Sequence, residues 1–597
     1  MQQLSQHLWV HAGHINTGVL CADGRALVID IGNGHVTGEL GAIGVTAIDT
    51  LLFTHHHRDQ ACGAAAVNGA RVIVPEAERQ WFEGVDAFWH DPAYRWHLYN
   101  QHPHHLMLTE PLHVDGTLAD GETLTWGPAR ITALATPGHT DGSLTYLVEV
   151  DGLRVAFTGD LIYDAGQLWE CYSLQKGNAT VTDYHGFLGA RDELAFSVQR
   201  VRAADPTLLV PAHGHLMHQP AAAIALLLAR LLACIEQYEA ITALRYYFPA
   251  LVPIPYAPLT GEESDPPDWL HHDGTTWVLV SESGATLVMD CGSEAVVANL
   301  RRMLATGEIS AVEGLWITHY HDDHVDGIPA FQAAFDCPCI ADAAVAQIIA
   351  DPLAWRMPCT SPAVARVDRV TQDGEQWQWH EFTLTAYHFP GQSLYHGGLL
   401  VEGRGRRLFF AGDSFTPTGI DDYCAQNRNF LGAGVGYDRC LALLQQRQPE
   451  GIINPHVNTV FTFSLADYAL MRSNLALREE TFGALFPWDH ANYGMDEWWL
   501  RCHPYEQHAA PGDTVRLSVM MTNHSIGSHH AACHPALPAG WKSDTAAGVI
   551  PAKREAALPL TIKVPSDAAI GRYIVPVSLT YDGVQLPQIT EGIIEVR

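Results

Sequence analysis

The sequence predicts an α+β chain in three parts, with two tandem copies of one sheet-and-helix unit followed by an all-β sandwich. Three observations predict it. Blocks of sequence recur in the same order in the two halves. Within each half, short β-rich runs ending in Gly or Asp alternate with Ala-rich helical stretches such as Asp59 to Val67 and Ala221 to Ala243. After about Leu500 the texture changes to short alternating strands.

The repeat is clearest at Thr54-His55-His56-His57-Arg58-Asp59-Gln60 and Thr318-His319-Tyr320-His321-Asp322-Asp323-His324. Each follows an apolar run, Leu51-Leu52-Phe53 or Leu315-Trp316-Ile317. Upstream, Ala26-Leu27-Val28-Ile29-Asp30-Ile31-Gly32 matches Thr286-Leu287-Val288-Met289-Asp290-Cys291-Gly292. Downstream, Thr136-Pro137-Gly138-His139 matches Phe389-Pro390-Gly391-Gln392, and Phe157-Thr158-Gly159-Asp160 matches Phe410-Ala411-Gly412-Asp413. Val210-Pro211-Ala212-His213 and Asn454-Pro455-His456 close the series. The expected boundaries are 1–248 for the first copy and 269–495 for the second. A linker over 249–268 is punctuated by Pro249, Pro253, Pro255, Pro258, Pro266 and Pro267.

Residues 500–597 read as the sandwich. Val515, Leu517, Val519 and Met521 alternate with Arg516, Ser518 and Met520; Leu558, Leu560, Ile562 and Val564 alternate too; Tyr573 to Leu579 gives another strand. The segment holds no ligand block, so it is expected to be dispensable for chemistry.

Composition narrows the function classes. At 597 residues, 47% apolar and 17% charged, the chain is globular with room for several cores. A net charge of −32 argues against a nucleic-acid partner or an anionic membrane, since both want Lys and Arg. Ala221 to Ile235 is interrupted by Arg230 and reads as a buried helix too short to span. Met1 to Leu20 lacks a basic start followed by an apolar stretch, so a cytoplasmic location is expected. The 12 cysteines show no zinc-ribbon spacing, and Cys337 and Cys339 read as buried thiols.

The HxHxDH spacing is complete in the second copy and ends in Gln in the first. Imidazoles two apart, with Asp and His just beyond, can ring metal ions from one strand-to-loop turn. With the later Gly-His, Gly-Asp and final His in order, the chain resembles the metallo-β-lactamase superfamily, and its local phrases look most like the glyoxalase II-type branch. The resemblance implies tandem αββα folds with metals at the edge of each sandwich. The last segment, around Leu537-Pro538-Ala539-Gly540-Trp541, resembles immunoglobulin-like domains appended to bacterial α-galactosidases, which implies glycan or protein contact there.

Carried over residue by residue, the resemblance gives the first copy a metal site of His55, His57 and His139. Asp160 would bridge to a second site holding Asp59 and His213, weakened by Gln60. In the second copy Asp323, His324, Asp413 and His456 give a full second site. His319 and His321 remain from its first, but Gln392 replaces the third His, with His388 and His396 flanking as substitutes. The implied cofactor is zinc, one or two per copy, with iron or manganese as alternatives. The implied activity is hydrolysis of an ester, thioester, lactone or phosphoester in a small-molecule substrate by a metal-activated water, with Asp59 the candidate to orient the water or take its proton. The alternatives are a mononuclear-iron dioxygenase-type enzyme and a non-catalytic binding scaffold. A β-CASP nuclease lacks its inserted domain here, and a flavo-diiron oxidase would need HxExDH.

Between the first two ligand blocks lie Trp81, Phe82, Phe88, Trp89, Tyr94, Trp96 and Tyr99, with His90, His97, His102, His104 and His105. They read either as a substrate-lining insertion or as aromatic packing between helices.

Overall fold

Two sheets pack face to face in each copy of the repeat. The structure is a computed structural model, described over residues 1–97, 106–169, 191–250, 256–422, 430–486 and 499–597. The chain forms two compact units. One comprises Met1–Arg95, Asn100–Ala233 and Phe482–Arg597, and the other Trp96–Tyr99 and Cys234–Thr481.

In the first unit a seven-stranded sheet begins with antiparallel strands Gln2–Gln3, Leu8–Ala12 and Asn16–Ala22, and Asn16–Ala22 pairs antiparallel with Arg25–Ile29. It continues in parallel through Arg25–Ile29, Ala47–Leu52, Arg71–Pro75 and Gly116–Leu118. A five-stranded sheet runs in the order Leu208–Pro211, Leu153–Gly159, Leu144–Val150, Ala129–Ala135, Thr123–Trp126. Leu20, Leu27, Ile29 and Leu52 from one sheet meet Ile131, Tyr146, Val148 and Phe157 from the other in a shared core. The outer face of the larger sheet packs Val28, Leu51, Phe53 and Val74 against Phe82, Phe88 and Trp89. Each sheet is thus apolar on the face it buries, as a two-layer fold requires.

The second unit repeats the plan. Sheets containing Thr276–Val280, Ala285–Met289 and Ala311–Ile317, and Phe382–His388, Gly397–Gly403 and Arg406–Phe410, close on Trp277, Leu287, Trp316, Leu384, Leu399 and Phe410. Residues 251–255 lie outside the described chain. Glu263–Ser264, further along the Pro-rich stretch, pairs with Val460–Phe461.

The α+β expectation holds, and so does the all-β C-terminal region. There a four-stranded sheet containing Thr514–Thr522 and Glu555–Lys563 faces a five-stranded one containing Gly571–Tyr581 and Val584–Val596. Val515, Leu517, Val519, Leu558, Leu560 and Ile562 point into its core, matching the alternation of the sequence.

Three expectations are corrected. The stretch from Asp59 to Val67 is not one helix. A single α-turn, Arg58–Ala61, gives way to a 3-10 turn at Ala64–Ala66. Gly63 explains the break, because a Cβ there would lie 2.2 Å from the Gly34 nitrogen. The Ala-rich helix runs Pro220–Ala240, ending before the expected Ala243 but extending beyond the Ala221 to Ile235 run read as too short to span, and at 21 residues is long and apolar enough by length and composition to cross a membrane. Its Ile224, Leu227, Leu231, Ile235 and Tyr238 form a buried stripe, while Leu226 and Leu232 are exposed. Third, the sandwich is not a detached appendage. Tyr505 and Ile593 enter the first copy's outer core beside Val28 and Phe53.

The aromatic stretch resolves as packing. Phe82, Phe88 and Trp89 are buried, Trp81 sits edge-on to Phe88 and Tyr94, and the Trp89 Nε1 donates to the Leu108 carbonyl. Tyr99, His102, His104 and His105 lie outside the described residues. Cys337 and Cys339 are buried free thiols, and burial pushes them up to about 11 and about 12.

Candidate metal centres

Every expected ligand of the first copy lies just past the carboxyl end of a strand, so the sheets deliver them to one edge. His55 and His57 follow Ala47–Leu52, His139 follows Ala129–Ala135, Asp160 follows Leu153–Gly159, and His213 follows Leu208–Pro211.

The orientation of His55 is set from behind. The Thr54 amide and hydroxyl both donate to the Asp30 carboxylate at 2.8 Å. The same hydroxyl lies 3.0 Å from His55 Nδ1. With its proton committed to Asp30, the Thr54 oxygen accepts from Nδ1–H, which leaves Nε2 as the nitrogen turned toward Asp160 Oδ2 at 3.4 Å. His139 Nε2 is 3.0 Å from His57 Nδ1 and 3.2 Å from Asp160 Oδ2. The donor atoms of His55, His57, His139 and Asp160 all lie within 4.8 Å of one another, and all four residues are buried.

Asp59, Asp160 and His213 make the adjoining group. His213 Nε2 is 2.9 Å from Asp59 Oδ2 and 3.7 Å from Asp160 Oδ1, while its Nδ1 lies 3.1 Å from the His14 carbonyl. Trp169 stacks on the His213 ring at 3.6 Å. Gln60 points its Nε2 at Asp160 and Asp59, at 3.4 and 3.5 Å, where the motif would put a second imidazole.

The electrostatics are those of a site built for positive charge. Burial opposes protonation of His55, yet the hydrogen bond and charge of Asp160, with Glu78 and Asp30, lift it to about 9. Asp160 is held well below the usual carboxylate range despite burial, chiefly by His213 and His139.

The second copy converges on the other half of the pattern. His456 Nε2 is 3.1 Å from both Asp323 Oδ2 and Asp413 Oδ2. His324 Nε2 is 3.2 Å from Asp413 Oδ2, and its Nδ1 is 3.0 Å from Asp290. The donors of Asp323, His324, Asp413 and His456 form one group, and those of His319, His321 and Asp413 another. Burial is the main cause that pushes His321 down to about 4, and its Nε2 is buried with no hydrogen-bond partner. Against burial, Asp413 and Asp323 raise His456 to about 10. Gln392 reaches Asp413 Oδ2 from 3.5 Å. Neither flanking histidine joins either group: His396 stacks on His319, and His388 faces Asp342.

Several supporting residues escaped the sequence reading. Asp30 and Asp290 orient the first motif residues and follow matched strands, at positive φ of 53° and 63°; their equivalent places in the two matched blocks were the available signal. Glu78 takes the His56 amide and lies 2.8 Å from its Nδ1. Asp421 is pushed to about 8 by burial and by Asp413, and accepts from the Tyr247 hydroxyl at 3.3 Å. No spacing marks Glu78 or Asp421.

Residues 11–213 and 272–429 match the Metallo-beta-lactamase superfamily. The chain belongs to that superfamily. Residues 509–582 match the NPCBM-associated NEW3 domain of alpha-galactosidase. Among relatives of this superfamily member, a hydroxyacylglutathione hydrolase of Stenotrophomonas maltophilia is 31% identical over 148 residues, covering 23% of this chain and 53% of that one. Those of Brucella anthropi and Aeromonas hydrophila are each 26% identical, covering 26% and 32% of this chain and 55% and 58% of theirs. The chain thus spans about half the length of the curated relatives it matches. Similar solved structures include a metallo-beta-lactamase family protein of Thermus thermophilus, 20% identical, covering 42% of this chain and 90% of that one at TM-score 0.31. A metallo-beta-lactamase of Cronobacter sakazakii is 23% identical, with 35% and 87% covered at TM-score 0.26.

Proposed function

We propose that the chain is a metal-dependent hydrolase whose first copy is the catalytic centre. The observation that carries the reading is the convergence of His55, His57, His139 and Asp160 donors within 4.8 Å in a buried pocket. The donor set fits zinc, which takes three imidazoles readily. Asp59 Oδ1 and Asp160 Oδ1 are buried without hydrogen-bond partners, as a cation's ligands would be. His55, His57 and His139 would hold the ion, with Asp160 beside it. Asp323, His324, Asp413 and His456 would hold one in the second copy. Bound there, zinc would acidify water and polarise the bond to be cleaved.

The residues do the rest. Asp59, held by His213 at 2.9 Å, is placed to take a proton at Oδ1. Asp30 and Thr54 keep His55 in the tautomer that offers Nε2. Among ester, thioester, lactone and phosphoester substrates, the names of the relatives support a thioester. The NEW3 match supports glycan or protein contact by the sandwich.

The test is elemental analysis and a substrate screen on the parent and on a His57→Ala, His139→Ala double variant. Metal is expected to fall by about one ion per chain, with turnover reduced to background. Unchanged stoichiometry would defeat the assignment.

A further inference from the structure

Arg58 lies between two candidate ligands, His57 and Asp59, yet is fully buried and makes its hydrogen bonds outside the candidate ligand cluster. Its Nη2 donates to Glu591 Oε2 at 2.7 Å, Nε to the Gln588 carbonyl at 2.7 Å, and Nη1 to the Met107 carbonyl at 3.0 Å. Both of the first two partners belong to the sandwich. Glu591 is itself buried and takes a second bond from the Tyr505 hydroxyl at 3.0 Å. Gln588 offers its carbonyl from a left-handed φ of 47°, beside a register shift in the strand pairing between Val577 and Leu579. The strand bends where it must meet the guanidinium.

The second copy has a comparable contact at the matching position. Asp322, between His321 and Asp323, is buried and meets His97 Nδ1 at 2.7 Å. His97 comes from a segment of the first copy's sequence that is built into the second unit. In both copies the residue inside the ligand motif is held by a polar side chain from outside its own repeat.

We infer that Arg58 and Glu591 are positioning residues for the first metal centre, and that the sandwich sets the affinity of that centre for its ion. The inference rests on the metal reading above. Two effects act through Arg58. The guanidinium fixes the turn Arg58–Ala61, and with it the directions of His57 and Asp59. Glu591 also neutralises a buried cation next to a site that must accept another. Without Glu591 the unpaired Arg58 charge repels the incoming ion at low local dielectric.

The experiment titrates full-length chain with zinc by chelator competition, following the binding event that His57→Ala abolishes. Glu591→Gln keeps the shape and removes the charge, and is expected to weaken that event about tenfold or more, the usual effect of losing a partner behind a ligand. Arg572→Gln is the control. It removes another cation that ties the sandwich to the first copy, with bonds to the Trp89 carbonyl at 3.1 Å and to Glu506 at 2.6 Å, and is expected to leave zinc affinity within about twofold of the parent, since these partners are not candidate ligands. Arg58→Met combined with Glu591→Gln is expected to bind zinc more tightly than Glu591→Gln alone, because no uncompensated cation remains. Parental affinity in Glu591→Gln, or equal loss in Arg572→Gln, would overturn the inference. A parent chain with no event sensitive to His57→Ala would overturn the metal reading, and this inference with it.

Discussion

Gln60 and Gln392 are the residues that make the two centres unequal. Each presents an amide nitrogen to the carboxylate at the heart of its centre, at 3.4 Å from Asp160 and 3.5 Å from Asp413. Backbone position 60 therefore still aims at the metal pocket, and so does 392. An amide is a poorer ligand for zinc-like ions than imidazole. Gln60→His should add a binding event to the first copy and Gln392→His one to the second, read by calorimetric titration against the parent. If neither gains an event, the copies have diverged in geometry and the transfer of ligands by motif is wrong. The clustered His and Asp donors were legible because their order and spacing follow the strand ends. Glu78, Asp421 and Tyr247 were not, because a group that orients or faces a ligand can come from any distance along the chain, provided it arrives in space. His56, whose ring faces Glu78 rather than the metal, shows that motif spacing alone does not sort the histidines.

At the scale of elements, strands were easier to read than the turns between them. Alternation reports a single buried face, a local property, and it located Thr514–Thr522 and Glu555–Lys563 to within a few residues. The run from Asp59 to Val67 misled because the contact that ends the helix is with Asn33 and Gly34, far upstream. The ligand turns in both copies are wedged against the loop that follows the preceding strand. A Cβ on Gly327 would lie 2.6 Å from the Ser293 carbonyl, and one on Gly292 would lie 1.7 Å from the Asp323 carbonyl. There is no room for a methyl group between Gly292 and the backbone of a candidate ligand. Gly292→Ala should therefore shift Asp323 and weaken metal at the second centre by about tenfold or more. The first centre should keep its ion. Metal content after dialysis against a weak chelator distinguishes the two, and retention of both ions would show that the turn can relax without moving Asp323.

Across the whole molecule, the boundary that matters does not fall where the composition changes. The sandwich has its own core, which is why it reads as separate. It is nevertheless part of the compact unit that carries the first copy. Tyr505 and Ile593 fill that copy's outer core, the Arg572 guanidinium donates to the Trp89 carbonyl at 3.1 Å, and Glu591 answers the buried Arg58. No local signal in the sequence announces a pair as distant as Arg58 and Glu591, so the sandwich read as a separate domain although it packs into the first copy's unit. A chain truncated before Trp499 strips Arg58 of its counter-charge, and breaking a buried pair in this way costs about 3–5 kcal/mol. For a unit of this size that corresponds to a fall in its melting temperature of about 4–7 °C. Cys234–Thr481 holds a complete two-sheet core of its own, so the transition belonging to the second unit should stay where it is. Scanning calorimetry of the parent and the truncated chain, each with and without zinc, tests this. If the first unit melts unchanged, the sandwich is a passenger after all, and the burial of Arg58 against it is incidental to stability.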